Sequence, residues 1–164
     1  MFGYTCHMHD ISPGRVADLL DAYLIADYRW ELEGQWHRFC IGETVPELDA
    51  AFPDARRYAL ISAWDPHSIT REEAINRRQD ELLHQSIVDG AYPCRAAFSS
   101  APDRSWREPS WLAIDMPAEA LDALARRFGQ LGTLSWERGQ RVRLRMDAAA
   151  PRGYAGFPCV DWLK

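Results

Sequence analysis

The amino-acid sequence predicts a single α/β (α+β) domain, with a mixed β-sheet of about five to six strands and three main helices packed on it. Its 164 residues suit one domain of common size. With 47% hydrophobic and 26% charged residues, the chain can bury a core without disulfides or metal. Segments with the period of a helix also alternate with short apolar runs typical of strands, and this alternation indicates a sheet covered by helices.

The first predicted helix runs from Pro13 to Asp27, because Ser12 is a favourable N-cap and proline is favoured in the first turn. Apolar residues then recur at helical spacing and give this helix one apolar face, formed by Val16, Leu19, Leu20, Tyr23 and Leu24. A weaker strand is predicted over 36–41, and one or two helical turns over 45–52.

The middle of the chain predicts a buried strand followed by a capped helix. Residues 57–64 are apolar on both faces, which is typical of a central strand. Thr70 and Glu73 have the spacing of a capping box, so a helix is predicted to start there. Two further strands are predicted over 92–98 and 110–114.

The last predicted elements are a helix, a hairpin and an apolar tail. The helix is predicted to end at Gly129, and strands over 133–137 and 140–146 would form the hairpin. Residues 1–146 are therefore expected to form the single α/β domain. The tail, 147–164, contains several aromatic and aliphatic residues, so we expect it to dock on the domain or on a partner.

Charge and cysteine content restrict the classes of function. The net charge of −5 disfavours non-specific nucleic-acid binding, because phosphate repels an acidic protein at long range. The cysteines have no paired spacing and are expected to be reduced thiols: Cys6, Cys40, Cys94 and Cys159. We find no secretory signal and no apolar run long enough to span a bilayer. The sequence therefore predicts a cytoplasmic protein without a membrane partner.

The most informative segment is Tyr58–Asn76, in which an apolar run ends in a polar turn and a helix follows. Such strand–loop–helix corners are common ligand sites in α/β folds, and the start of a helix favours anions. The segment Glu108–Ser110 precedes another strand and is expected to share the same mouth. The predicted ligand-binding residues are Trp64, Asp65, Ser68, Thr70, Arg71, Asn76, Glu108 and Ser110.

The leading functional hypothesis is a non-catalytic binding or regulatory module for a small anionic, nucleotide-like ligand, RNA or an acidic peptide. No catalytic, cofactor or metal signature accompanies the corner, so no catalytic residue, cofactor or metal is predicted. One alternative is a hydrolase or transferase with Asp65 or Glu108 as general base. Another is a protein-interaction subunit that uses the apolar C-terminal tail, and the oligomeric state stays open. A turn role for Asp65 and a cap role for Thr70 would also explain those two residues without any ligand.

Three arginines near the C-terminus form a second candidate surface. Arg141, Arg143 and Arg145 alternate with apolar residues, so a strand would place the guanidinium groups on one face. Such a row could bind RNA phosphates or an acidic protein. It could equally be a solvated sheet face, which the acidic net charge favours.

A cluster at the amino terminus raises the question of zinc. Cys6, His7 and His9 lie close together, and Cys159 would complete a set of four ligands if the two termini meet. The spacing matches no standard zinc site, and three such close neighbours rarely all reach one ion. Metal binding is therefore left open as an alternative and is not the expected state.

Several motifs in a fixed order resemble one bacterial family. They are ISAWDPHS, EEAINRRQDEL, REPSWLAI and LARRFGQ, preceded by LLDAYLIADYRW. Together they resemble domain-of-unknown-function family 3293 over Leu19–Met146. Members commonly have asparagine where this chain has Asp65, which adds a charge and removes an amide donor. The resemblance implies a family without an assigned activity, and the tail after Asp147 lies outside it.

Overall fold

An eight-stranded β-sheet with helices on both faces forms the body of the protein. A computed structural model describes residues 11–164 and, of His67, the backbone only. In chain order the elements are α1 (Pro13–Ile25), β1 (Asp27–Leu32), β2 (Gln35–Phe39), α2 (Pro46–Ala51), β3 (Arg57–Ile61), α3 (Glu73–Asp89), β4 (Cys94–Ser100), β5 (Arg107–Ile114), α4 (Ala118–Arg127), β6 (Gly132–Glu137), β7 (Arg143–Met146) and β8 (Val160–Trp162). A single turn of 3₁₀-helix, Pro66–Ser68, lies between β3 and α3.

The strand order across the sheet is β2-β1-β4-β5-β3-β6-β7-β8. Neighbouring strands are antiparallel except β7 and β8, which are parallel, so the sheet is mixed. The predicted α/β (α+β) class is confirmed, and the sheet has eight strands where five or six were expected. One added strand is β1. The predicted first helix extends to Asp27, whereas α1 ends at Ile25 and the chain is already extended at Ala26.

The central strand β3 is buried on both faces, as its apolar run predicts. Side chains alternate along a strand, so Tyr58 and Leu60 point to one face while Ala59 and Ile61 point to the other. The first face packs against α1 and α2, and the second packs against α3 and α4. The sheet therefore separates two hydrophobic cores, and each core is closed by its own pair of helices.

Of the two helix starts predicted from N-terminal caps, one cap is confirmed and the other is wrong. Ser12 caps α1 as predicted, because its hydroxyl accepts a backbone N–H of the first turn at 3.3 Å. The predicted capping box between Thr70 and Glu73 is wrong. α3 begins at Glu73, its N-cap is Glu72, and no side chain caps it. The Glu73 carboxylate instead forms an ion pair with Arg77, one turn further along the helix.

The segment after residue 146 adds the edge strand β8 to the sheet. Val160 is buried in the same core as β7, and the Trp162 indole N–H donates to the carbonyl oxygen of Tyr154 at 3.1 Å. Asp161 forms a two-point ion pair with Arg143 across the β7–β8 pair. None of the helices within residues 11–164 combines the length and the apolar character that crossing a membrane requires.

Candidate functional site

A cavity of about 270 Å³ lies between α1, the sheet and the loop that follows β3. The polar side chains that face it come from elements far apart in the sequence. They include Tyr23 of α1, Asp65, Ser68 and Thr70 of the loop, and Glu108 and Ser110 of β5. The predicted corner and the predicted Glu108–Ser110 segment therefore line one cavity.

The cavity forms where two central strands separate. β3 and β5 are paired from Tyr58–Ile114 to Ile61–Trp111, and β3 ends there. The Ser62 hydroxyl then donates to the carbonyl oxygen of Pro109 at 2.9 Å, which closes the end of the ladder. Beyond this point β5 pairs only with β4, and the side chains of Glu108 and Ser110 face the cavity.

Glu108 lies in this unpaired part of β5, and its carboxyl group is largely buried. Burial and, to a smaller extent, the negative charge of Asp65 together raise the pKa of Glu108 to about 7. Among the described groups, which exclude the His67 side chain, none forms a hydrogen bond or ion pair with this carboxyl group. Its sequence neighbour Arg107 points to the opposite face of the sheet, where the guanidinium lies 3.7 Å from the centre of the Phe98 ring.

Ser110 is on the same face of β5 as Glu108, two residues further along the strand. The residue is only 4% exposed, and its hydroxyl has no hydrogen-bond partner in the described part of the chain. Buried hydroxyl groups are almost always paired, because leaving one unpaired is costly. A second polar group therefore faces the cavity without a partner from the protein.

Asp65 is held in place by a closed hydrogen-bond network. Its Oδ1 accepts the Arg71 N–H at 3.1 Å and the Asn76 amide at 2.7 Å. Asn76 Oδ1 in turn accepts the Asp65 N–H at 3.0 Å and Arg71 Nε at 2.6 Å. Arg71 also donates to the carbonyl oxygen of Ala63 at 2.8 Å. The network uses one carboxylate oxygen of Asp65 and leaves Oδ2 without a partner among the residues that the structure describes.

The backbone at Asp65 explains why such a network is needed. Its φ of 41° lies in the left-handed region, which aspartate tolerates better than most residues. Asn76 is 1% exposed, so its amide lies in the protein interior and its bonds hold the loop. We conclude that Arg71 and Asn76 position Asp65, which then lines the cavity.

The wall opposite the sheet is formed by α1. The hydroxyl groups of Tyr23 and Ser68 lie 3.4 Å apart, and the Tyr28 hydroxyl donates to the Tyr23 carbonyl oxygen at 2.7 Å. Burial raises the pKa of Tyr23 to about 12 and also raises the pKa of Tyr28. Both phenols are therefore neutral near pH 7. The Tyr23 ring lies against Gly132, where an added Cβ would be 2.8 Å from a ring carbon.

The predicted site residues divide between two depressions on either side of the loop. Asp65, Ser68, Thr70, Glu108 and Ser110 line the cavity. Trp64, Arg71 and Asn76 line a more open groove, to which Asp65 and Thr70 also contribute. Whether any of these residues binds a ligand stays a prediction. Tyr23 and Tyr28 also line the cavity and are not among the predicted site residues, because Tyr23 fits the apolar face of the first helix and no ligand-binding motif marks Tyr28.

The charge of the cavity is negative. Asp65 and Glu108 are the acidic residues that line it, and no lysine or arginine is among the described lining residues. The groove on the other side of the loop has arginines, but an equal number of carboxylates accompanies them: Arg71, Arg77 and Arg107 with Asp65, Glu73 and Asp80.

Two of the three arginines in and before β7 form ion pairs within the protein. Arg143 binds Asp161 through two hydrogen bonds of 3.0 and 2.8 Å. Arg145 binds Asp122 of α4 through two hydrogen bonds of 3.0 and 2.7 Å. Arg141 precedes the strand and is exposed. Binding of RNA or an acidic protein by these residues stays a prediction, and two of the three guanidinium groups already have carboxylate partners.

The zinc alternative falls mostly outside the described residues, because Cys6, His7 and His9 all precede residue 11. Cys159 is described and is a free, partly buried thiol. Within residues 11–164, no group of three or more histidine, cysteine or acidic side chains is arranged to hold a metal ion.

Fold and cavity together define an α+β domain with a small acidic pocket beside its central strands. The family described as "Protein of unknown function (DUF3293)" matches residues 61–132, so the family predicted from the sequence is confirmed and this segment belongs to it. The match runs from the end of β3 to the start of β6, and it includes Asp65, Glu108 and Ser110. No curated protein and no solved structure matches the chain.

Proposed function

We propose that this chain is a small-molecule-binding domain whose cavity holds a polar ligand without net negative charge. The observation that carries this proposal is the pairing of two unsatisfied groups. The Glu108 carboxyl and the Ser110 hydroxyl face the same cavity, and neither has a partner among the groups that the structure describes. A bound molecule would supply those hydrogen bonds, and a polar group placed in a mostly enclosed pocket is the usual arrangement of a ligand site.

The charge of the lining argues against the anionic ligand expected from the sequence. An anion would meet the carboxylate of Asp65 and, above about pH 7, that of Glu108 as well, and like charges repel strongly when they are withdrawn from water. The arginine expected to neutralise an anion, Arg71, is already bonded to Asn76 and to the carbonyl oxygen of Ala63. A neutral or positively charged ligand avoids this repulsion.

The size of the cavity further restricts the class of ligand. Its volume of about 270 Å³ lies just below the range of about 300–1,000 Å³ that is typical of ligand pockets. This volume suits a small metabolite or a single side-chain-sized group better than a nucleotide. Trp106 lines the cavity and is 39% exposed, so it lies toward the mouth.

A screen with small compounds of each charge type tests this proposal. Ligand-observed NMR would detect binding of small amines, alcohols, amides and carboxylates, and calorimetry would measure the affinity of the hits. We expect hits whose affinity falls about two- to tenfold in Ser110→Ala, which is the usual value of one hydrogen bond. An exposed glutamate on the same sheet gives the control variant Glu137→Gln, which should bind as the wild type does. Hits that bind Ser110→Ala and Glu108→Gln with unchanged affinity, or no hits at all, would refute the proposal.

A second candidate function is catalysis with Glu108 as general base, in a hydrolase or transferase. The pKa of about 7 favours it, because a general base works best when its pKa is near the operating pH. If a compound that binds is also converted, the pH–rate profile should show a pKa near 7 that is lost in Glu108→Gln. A profile that Glu108→Gln leaves unchanged would exclude this role.

The other predicted roles have less support. In the protein-interaction hypothesis the tail is free to bind a partner, but β8 is already paired with β7. A cytoplasmic location remains part of the proposal, and the free thiols of Cys40, Cys94 and Cys159 fit a reducing compartment.

A further inference from the structure

We propose that the cavity selects a small organic cation, an ammonium or guanidinium compound, which pairs with Glu108 and Asp65 and donates a hydrogen bond to the Ser110 hydroxyl. This inference rests on the proposed function, since it names the chemical class of the ligand for the same cavity. It goes further in predicting that the ligand must carry a positive charge, and that a neutral compound of the same shape binds more weakly.

The acceptors in the cavity match the donors of such a cation. An ammonium group has three N–H donors and no acceptor, and a guanidinium has several donors in one plane. Glu108 and Asp65 both line the cavity, and neither the Glu108 carboxylate nor Oδ2 of Asp65 has a partner among the described residues. The buried Ser110 oxygen can accept a further hydrogen bond. A donor-only ligand would therefore satisfy the groups that the protein leaves unpaired.

No cationic side chain of the described chain takes this place. Arg15 lies at the edge of the site, but its guanidinium is directed to the carbonyl oxygen of Ser68 at 3.5 Å. Arg71 is bonded within the loop, and Arg107 packs on Phe98 on the opposite face of the sheet. Acidic groups that are buried without an internal cation usually have an external partner or remain protonated. A cationic ligand provides that external partner.

The aromatic residues around the cavity are compatible with a cation. Tyr23, Tyr28 and Trp106 all line it, and aromatic faces attract ammonium and guanidinium groups. The remaining lining includes Leu19, Leu60 and Leu134, which would contact the hydrocarbon part of an organic cation. An organic cation therefore fits this lining better than a bare metal ion, for which the described residues offer no suitable cluster.

Binding of a cation should release the proton of Glu108, and this release distinguishes a cationic ligand from a neutral one. Burial keeps a proton on Glu108 up to about pH 7, whereas pairing with a cation requires the ionised carboxylate. Among the described side chains, the titratable groups that face Glu108 are Asp65 from the loop, Tyr23 from α1 and Tyr28 from β1, and both tyrosines have raised pKa values. Glu108 is therefore the group expected to change its charge between pH 6 and pH 8. At pH 6, binding of a cation should therefore release the proton that Glu108 carries in the free protein.

Three probes of one shape test the charge requirement: benzylammonium, benzyl alcohol and benzoate. Calorimetry with the wild type at pH 8 should show benzylammonium binding at least tenfold more tightly than benzyl alcohol, with no binding of benzoate. Benzylammonium should also bind about tenfold more tightly at pH 8 than at pH 6, because a group of pKa about 7 is mostly ionised at the first pH and mostly protonated at the second. n-Butylammonium and guanidinium, compared with n-butanol and urea, repeat the comparison with smaller probes.

The variant Glu108→Gln shows whether the ligand is selected by its charge or by its shape, because glutamine keeps the shape of the side chain and removes its charge. This variant should lose the pH dependence and most of the preference for the cation, while Glu137→Gln should keep both. Equal or tighter binding of the neutral probes, with none of the anionic ones, would overturn the inference and leave the proposed function intact. Equal or tighter binding of benzoate would overturn both the inference and the proposed function. If no compound of any charge binds in the broader screen, the proposed function itself fails.

Discussion

Replacing Glu108 by glutamine should change how the stability of the protein depends on pH. The pKa of Glu108 is raised from 4.5 to about 7 in the folded protein, whereas in the unfolded chain it returns to its ordinary value. Between these two values the unfolded chain loses its proton and the folded chain keeps it. The free energy of unfolding therefore falls as the pH rises through this window, and the loss is complete above about pH 7.

The size of the effect follows from the shift. One pKa unit corresponds to about 1.4 kcal/mol, so the full shift is worth roughly 3 kcal/mol. Between pH 5 and pH 8.5, the part of this loss that falls within the window is about 2.5 kcal/mol. Glutamine has nearly the shape of the protonated acid and does not titrate. We therefore expect Glu108→Gln to gain about 2.5 kcal/mol of stability relative to the wild type over that pH range.

Unfolding in urea at the two pH values, followed by circular dichroism, measures this change. Urea is preferred to guanidinium chloride, because guanidinium belongs to the class of ligand proposed for the cavity. All other titrating groups are common to the two proteins, so they cancel when the variant is compared with the wild type. The exposed control Glu137→Gln should show no such gain. A difference between wild type and Glu108→Gln that stays constant within about 0.5 kcal/mol from pH 5 to pH 8.5 would refute the reasoning about this carboxyl group.

Three further substitutions test the surroundings of the cavity by urea unfolding. Ser110→Ala removes a buried hydroxyl without a partner and should stabilise the protein by about 1 kcal/mol; a clear loss would mean that the hydroxyl is bonded in the free protein. Asn76→Ala removes the acceptor of the Asp65 N–H and of an arginine, and should cost about 3 kcal/mol. An unchanged unfolding midpoint would contradict the network. Gly132→Ala brings a Cβ to 2.8 Å from the Tyr23 ring and should cost about 1–3 kcal/mol, whereas wild-type stability would show that the ring moves freely.

Local patterns predicted the elements whose signals lie within a few residues. The apolar run of β3 identified a strand buried on both faces, and Ser12 identified the start of α1. β1 was obscured because the helical periodicity before it runs on toward Asp27, although Tyr28 and Trp30 alternate with charged residues in the pattern of a strand. The capping box was wrongly predicted because it was also read from local spacing alone. Thr70 has the spacing of a cap, but nothing in that spacing shows that α3 starts without a side-chain cap.

The candidate site was predictable only in part. Asp65 and Glu108 were expected to share one mouth because each adjoins a predicted strand, and the pairing of β3 with β5 in the structure brings both to one cavity. The sign of the cavity's charge could not be predicted, since it depends on where Arg71 and Arg107 point. Arg71 turns into the loop network, and Arg107 lies on the other face of the sheet. The contact between Tyr23 and Gly132 joins residues that are more than a hundred positions apart, and no local pattern encodes it.

The early end of the β3–β5 ladder has a practical consequence. Glu108 and Ser110 lie on a stretch of β5 that pairs with one neighbouring strand alone. If the cavity binds the ligand proposed above, exchanges at these two positions should change which molecules it accepts. Such variants would then be receptors with altered charge preference.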